Sequence, residues 1–102
     1  MPCMHAGFIE SDQSTSKSRN LFYWMYKTNN WNDTDKTTPI AIWLNGGPGA
    51  SSTFANFLLN GPLRISMNTT VNSETQAEEF AYNVTNAPEG SWADIATMIF
   101  VD

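Results

Sequence analysis

The sequence has almost nothing from which to build a cross-link or a metal centre. Cys3 is the only cysteine among 102 residues, so no disulfide can form within the chain. His5 is the only histidine, and together with Cys3 it falls short of the ligand set that a structural zinc site requires. We therefore expect no metal and no cofactor, and we interpret Cys3 as an incidental thiol.

Positive charge and long apolar runs are also scarce. Lysine and arginine total 5 against 10 acidic residues, a net charge of −5, which leaves no basic patch for nucleic acid phosphates. No apolar run approaches the roughly 18 residues of a membrane span. The opening "MPCMHAGFIESD" lacks the basic start and long apolar centre of a signal peptide. We expect neither nucleic acid nor membrane as a partner.

The residues that are present predict one small α/β unit. Hydrophobic residues make up 41% of the chain, enough for a core in a domain of this size. The segments 4–10 and 21–27 predict an antiparallel hairpin, and "PIAIWL" at 39–44 predicts a strand buried on both faces. A short helix with Ser51 or Ser52 as N-cap, a brief extended segment at 61–66, a long polar connection at 67–91 and a strand at 96–102 follow. One helix cannot cover both faces of such a sheet, so we expect an incomplete domain.

The stretch "NGGPGASS", residues 45–52, follows the third predicted strand. It lacks the lysine that a phosphate-binding loop requires, and the spacing of its glycines does not fit a dinucleotide-binding loop. Ligands in open α/β sheets gather at the carboxyl ends of strands, where bare N–H groups can stabilise a developing negative charge. Hydrolases of the α/β class take an oxyanion donor from the loop after their third strand. The alternative is a tight turn whose glycines serve geometry alone.

The wider pattern resembles the serine carboxypeptidase family. "IWLNGGPGASS" and the later "NGPLRI" carry the resemblance, and "HAGFI", "LFYWMYK" and "EGSWADIATMIFVD" agree with the family in order. The resemblance implies an α/β-hydrolase fold with a mixed, mostly buried sheet. It also implies serine-type cleavage of single amino acids from peptide C-termini by a Ser-Asp-His triad.

The resemblance assigns roles to residues of the glycine loop. Gly47 would supply a backbone oxyanion donor, and the Asn45 side chain and the Gly46 backbone would bind the terminal carboxylate of the substrate. Trp43 would orient the same network. The implied partners are peptide or protein C-termini.

Three departures from the family stand out. Leu59 occupies the place of a glutamate in the carboxylate-binding network, and Ala50 the place of a disulfide-bonded cysteine. No G-x-S-x-G elbow occurs, so the nucleophile, histidine and aspartate of the triad are absent from the chain. We thus expect residues 1–102 to be a partial domain, truncated before the nucleophile and inactive alone.

The remaining polar residues have simpler interpretations. We expect His5 to be structural, because it lies on the first strand, where the family has no catalytic residue. Ser51 and Ser52 fit a helix cap better than a nucleophile, and Asp94 and Asp102 match no catalytic motif.

Two alternatives to the carboxypeptidase hypothesis remain open. The loss of glutamate at position 59 fits a family acyltransferase whose substrate has no free carboxylate. A small secreted carbohydrate-binding module would instead use the 4 tryptophans and the aromatic strands as a sugar-binding face.

Glycosylation sequons begin at Asn32, Asn68 and Asn83. They need exposed positions in a secretory compartment. The resemblance implies such a compartment, with a lysosomal, vacuolar or extracellular destination.

Overall fold

The computed structural model of the protein describes residues 3–12 and 19–102. It contains six strands, one α-helix and a single-turn 3₁₀ helix at Trp92–Asp94. The strands and the helix are β1 (Met4–Asp12), β2 (Arg19–Tyr26), β3 (Ile40–Trp43), α1 (Ser52–Leu58), β4 (Leu63–Val71), β5 (Glu78–Asn86) and β6 (Thr97–Val101).

Four of the strands form a mixed sheet in the order β1-β2-β6-β3. β1 and β2 pair antiparallel, which confirms the predicted hairpin, although residues 13–18 of its connection lie outside the described residues. β6 pairs antiparallel with β2 and parallel with β3. The last predicted strand is therefore central, and its carboxyl end lies beside the carboxyl end of β3.

The core lies between one face of this sheet and α1. Tyr26, Met98 and Phe100 are fully buried there, with Ala55 of the helix. The Tyr26 hydroxyl accepts a hydrogen bond from Asn56 Nδ2 at 2.5 Å. Burial raises the pKa of Tyr26 to about 12, against the lowering effect of that hydrogen bond.

The prediction that β3 is buried on both faces is wrong. Ala41 and Trp43 face the core, whereas Ile40 and Ile42 are 63% and 65% exposed. An apolar run without alternation suggested two covered faces, but in the described part of the chain one helix covers one face only. The sheet is accordingly mixed, as expected, and only half of it is buried.

The prediction of a long polar connection at 67–91 is also wrong. Most of this segment belongs to a second sheet formed by β4 and β5 alone, called here the ribbon. The Asn and Thr content concealed an alternation in which Met67 lies opposite Tyr82 and Ile65 opposite Val84. The expected brief extended segment at 61–66 is the first part of this longer strand.

α1 is capped as the sequence predicts, and a tight turn ends it. Ser51 is the N-cap, and its hydroxyl accepts a hydrogen bond from the Thr53 backbone at 3.1 Å. At the other end the Ala55 carbonyl accepts bonds from three successive N–H groups, the last being that of Gly61. A Cβ at Gly61 would overlap the backbone of Asn56. Glycine here lets the chain pass closely over the helix on its way to β4.

No helix in the described residues combines the length and the apolar character needed to cross a bilayer.

Candidate functional site

The glycine loop is closed at its base by Asn45. The Asn45 backbone N–H donates to Ser52 Oγ at 3.0 Å, and its side-chain Nδ2 donates to the Ser51 carbonyl at 3.0 Å. Trp43 Nε1 donates to Asn45 Oδ1 at 2.9 Å. The indole donor fixes which end of the carboxamide is oxygen, because a flipped amide would lose both side-chain hydrogen bonds.

The tip of the loop needs glycine and leaves its N–H groups free. Gly47 and Gly49 have φ of +139° and +90°, values that residues with a Cβ rarely adopt. Gly46 is not in that region, and a Cβ there would meet nothing within 4 Å. Within residues 3–12 and 19–102, the N–H groups of these glycines donate no hydrogen bond, and all three residues are exposed. They form a set of donors available to a ligand.

Asp102, which follows β6, also hydrogen-bonds to residues at the base of the loop. Its carboxylate accepts from Ser51 Oγ and Ser52 N, each at 2.5 Å, and from Thr53 Oγ1 at 2.7 Å. Burial acts to raise the pKa of Asp102, but the hydrogen bonds from Ser51, Thr53 and Ser52 together outweigh it and hold the pKa below its usual value. Asn45 and Asp102 therefore both hydrogen-bond to Ser51 and Ser52.

A cavity of about 350 Å³ lies against the loop and the end of β6. Its wall is formed by Leu44, Asn45, Gly49, Ala50, Ser51, Ser52, Val101 and Asp102. The Asp102 carboxylate places a negative charge in this wall. The wall includes Asn45 and Gly49 but neither Gly46 nor Gly47.

The sequence profile of the serine carboxypeptidase family matches residues 2–102. This chain belongs to the serine carboxypeptidase family. The pheromone-processing carboxypeptidase kex1 of Aspergillus niger is 38% identical over 99 residues, covering 97% of the chain and 13% of that protein.

Two further relatives carry the same name. The pheromone-processing carboxypeptidase of Ogataea parapolymorpha is 34% identical over 104 residues, covering 99% of the chain and 14% of that protein. That of Tuber melanosporum is 37% identical over 99 residues, covering 97% and 13%. The chain thus spans only 13–14% of the length of these relatives. Hydrolase and serine-type carboxypeptidase chemistry belongs to the family as a whole.

Neither Ser51 nor Ser52 has a catalytic partner among the described residues. The Ser51 hydroxyl donates to Asp102, and the Ser52 hydroxyl accepts from the Asn45 backbone. His5 lies on β1, at the opposite edge of the sheet from β3, and three strand spacings place it about 14 Å or more from the loop. In the described part of the chain no histidine lies within reach of either hydroxyl, and the Asp102 carboxylate that accepts from Ser51 also accepts from the backbone of Ser52 and Thr53. Both serines therefore act as capping and tethering groups.

Leu59 is the C-cap of α1, with a side chain that is 51% exposed. Next to it, Asn60 is buried, and neither its Oδ1 nor its Nδ2 has a hydrogen-bond partner among the described residues. Buried amides are normally paired. This end of the helix therefore retains unused hydrogen-bonding capacity next to an apolar side chain.

The tryptophans do not share one surface. Trp24 packs with Tyr26 and Phe57 at the core, and Trp43 contacts Trp92 edge to face. Trp31 lies on a loop beneath the Lys27 ammonium. Three separate environments give little support to a single sugar-binding face. Among the described residues, no cluster of His, Cys, Asp and Glu side chains could hold a metal ion.

The motif led to Trp43, Asn45, Gly46 and Gly47; Trp43 ends β3, and the other three lie in the loop that follows it. It did not lead to Asp102, which sequence reasoning left without a role. One signal was available: a carboxylate that ends a strand beside β3 shares the sheet edge where the glycine loop begins.

Proposed function

We propose that this chain forms the oxyanion and carboxylate-binding loop of a serine-type carboxypeptidase built on an α/β-hydrolase sheet. The observation that carries the proposal is the contrast between the two parts of the loop. Its base is fixed by Asn45 and Asp102, whereas the N–H groups of Gly46 and Gly47 are free. Donors held in place before the reaction are what electrostatic stabilisation of a transition state requires.

The oxyanion role fits the chemistry of acyl transfer. When a serine attacks the last peptide bond of a substrate, the carbonyl oxygen becomes negative. The N–H of Gly47 would donate to this oxygen, and the nucleophile elbow of an α/β-hydrolase would supply the other donor. Nucleophile, histidine and aspartate would come from sequence beyond residues 1–102, which make up a partial domain in this proposal.

The carboxylate-binding role rests on neutral donors. Asn45 Nδ2 uses one hydrogen on the Ser51 carbonyl, which leaves the second for a ligand. The Gly46 N–H lies next to it in the chain and would be a second donor. Trp43 would act as a positioning residue, since its indole holds the Asn45 oxygen away from the incoming carboxylate.

The sheet supports the wider assignment. β3, α1 and β6 form a crossover between parallel strands, and the glycine loop follows the third strand, where α/β-hydrolases place an oxyanion donor. The substrates would be peptides with a free C-terminus. The name of the relatives, pheromone-processing carboxypeptidase, is consistent with the secretory pathway, and we place this chain there.

Ligand binding to the 102-residue chain tests the carboxylate-binding role directly. We expect an N-blocked dipeptide with a free carboxylate to shift the backbone amide resonances of Gly46 and Gly47 and the Asn45 side-chain amide in NMR spectra. The same dipeptide as a C-terminal amide should not shift them.

Asn45→Ala should weaken binding about tenfold, the equivalent of one hydrogen bond to a charged group. Asn30→Ala, at an exposed position, is the matched control. Equal responses to acid and amide would overturn the carboxylate assignment.

A turnover assay tests the proposal that this chain lacks the nucleophile. The 102-residue chain should not hydrolyse a blocked dipeptide, because it has no activated nucleophile. Measured hydrolysis that survives Ser51→Ala and Ser52→Ala would point to a contaminant. Hydrolysis abolished by either change would refute the proposal.

Leu59 favours a second candidate of the same family, an acyltransferase. An alkyl group at the C-cap cannot bond to a carboxylate network, and an acyl ester needs no such network. Assays of the complete gene product with peptide and with acyl-ester substrates separate the two reactions.

A further inference from the structure

We propose that Asn68 and Asn83 carry N-linked glycans, and that these glycans shield the two open edges of the ribbon. The proposal does not use the glycine loop, but it rests on the secretory localisation proposed above, because N-glycosylation takes place in that pathway. It also rests on the strand register, on the exposure of both asparagines and on the composition of the ribbon.

The register places both sequons on one face. Asn68 lies opposite Ala81, and Asn83 lies opposite Ser66. The two asparagines are therefore diagonal neighbours, one on each strand, with Cα atoms about 7–8 Å apart. Both are exposed, and neither carboxamide bonds to any residue in the described part of the chain. Each has room for a sugar on its nitrogen.

The opposite face of the ribbon is mainly apolar. Its exposed apolar side chains are those of Ile65, Met67, Val71, Phe80, Tyr82 and Val84, and the polar Thr69, Glu78 and Asn86 share this face. Because successive residues of a strand point to opposite faces, a glycan at either asparagine displaces none of these side chains. The polar face is thus the only one of the two that can carry a large hydrophilic group without conflict.

The edges of the ribbon have few other safeguards. Neither β4 nor β5 pairs with another strand within residues 3–12 and 19–102, and an open edge is a template for intermolecular pairing. Charged side chains usually prevent this. On β4 the only one is Arg64, whose guanidinium donates to the carbonyls of Leu59, Gly61 and Leu63, and on β5 the charges, Glu78 and Glu79, are confined to the first two positions. One glycan on each strand would obstruct both edges.

The modification uses a lipid-linked oligosaccharide pyrophosphate as donor. The asparagine nitrogen forms a bond to the anomeric carbon, and the bond from that carbon to the pyrophosphate oxygen breaks. The lipid pyrophosphate leaves with the electron pair, and the amide loses one proton. The hydroxyls of Thr70 and Thr85 complete the sequons.

The first experiment maps the sites. The full chain is directed into the yeast secretory pathway by a cleavable signal, and the membrane and secreted fractions are treated with peptide N-glycosidase. We expect the conversion to aspartate, a gain of about 1 Da, at both Asn68 and Asn83. The double change T70A/T85A should abolish it, whereas T70S/T85S, which keeps both sequons, should not. An unmodified Asn68 or Asn83 in the membrane fraction overturns the proposal.

The second experiment tests the shielding. Aggregation of purified T70A/T85A should exceed that of T70S/T85S several-fold at equal concentration, measured by light scattering. Thr34→Ala is the control, since it removes the sequon of Asn32, which lies off the ribbon in a turn closed by the Thr34 N–H and hydroxyl. Equal aggregation of the two double variants, or a similar rise with Thr34→Ala, contradicts a role at the ribbon edges.

Discussion

The main sheet and the ribbon use similar side chains and bury them to very different extents. Met98 and Phe100 on β6 are 0% and 1% exposed, whereas Met67 and Phe80 on the ribbon are each 54% exposed. β6 is apolar from Met98 to Val101, whereas the strands of the ribbon alternate apolar and polar positions over most of their length. An apolar face alone therefore does not make a core. The face of the main sheet becomes a core because α1 packs on it. α1 also contacts β4, where Leu63 is buried, but residues 65–71 and 78–86 of the ribbon are exposed in the described structure.

The strongest test of this contrast uses one substitution at two places. Met98→Ala should lower the free energy of unfolding by about 2–5 kcal/mol, because it removes buried methylene groups and leaves a cavity. Met67→Ala should change it by less than about 0.5 kcal/mol, as for an exposed residue. Urea unfolding followed by tryptophan fluorescence measures both. Comparable losses in the two variants would show that the ribbon face is packed in solution.

The joint between the two regions gives the next largest effect. Gly61 lies between α1 and β4, where a Cβ would overlap the Asn56 backbone. Gly61→Ala should therefore cost about 1–3 kcal/mol through a forced backbone shift. Gly46→Ala is the control: its Cβ would meet nothing within 4 Å, so the change should stay below about 0.5 kcal/mol. A neutral Gly61→Ala would mean that β4 leaves the helix by another path.

The elements that sequence reasoning predicted correctly are those specified locally. The β1–β2 hairpin follows from two apolar runs around a polar connection, and α1 follows from Ser51 and the helical spacing after it. The half-exposed β3 was not predictable from its own residues, since Ile42 and Trp43 are both apolar. Whether each is buried depends on how many helices pack on the sheet, which is a tertiary property.

The same limit applies to the candidate site. The motif identified the loop because its residues lie next to one another in the sequence. The Ser51–Asp102 hydrogen bond joins residues 51 positions apart, and only the position of β6 beside β3 brings the two residues together. The ribbon was missed for a related reason: the polar sequon face dominates its composition, and only the cross-strand register reveals the apolar face.

The smallest expected effect concerns how the main sheet holds the glycine loop. Asp102→Asn keeps one acceptor oxygen but loses the charge, so unfolding should become easier by about 1 kcal/mol, as for a weakened helix cap. Glu74→Gln, which removes one negative charge from an exposed turn, should have a smaller effect.

The pH profile of Asp102→Asn separates a cap from general charge effects. The folded-state pKa of Asp102 lies below the unfolded value of about 3.9. Its contribution is therefore complete above about pH 4 and disappears as the pH falls through the folded pKa. The difference in stability between the original chain and Asp102→Asn should shrink over that acidic range. Amide hydrogen exchange in the same variant gives a second measurement. Relative to the original chain, exchange at Gly46 and Gly47 should accelerate less than twofold in Asp102→Asn, because their N–H groups already donate to no described residue. Exchange at Ser52 and Thr53 should accelerate more. A stability difference that is constant with pH would contradict the role of the carboxylate in holding the loop.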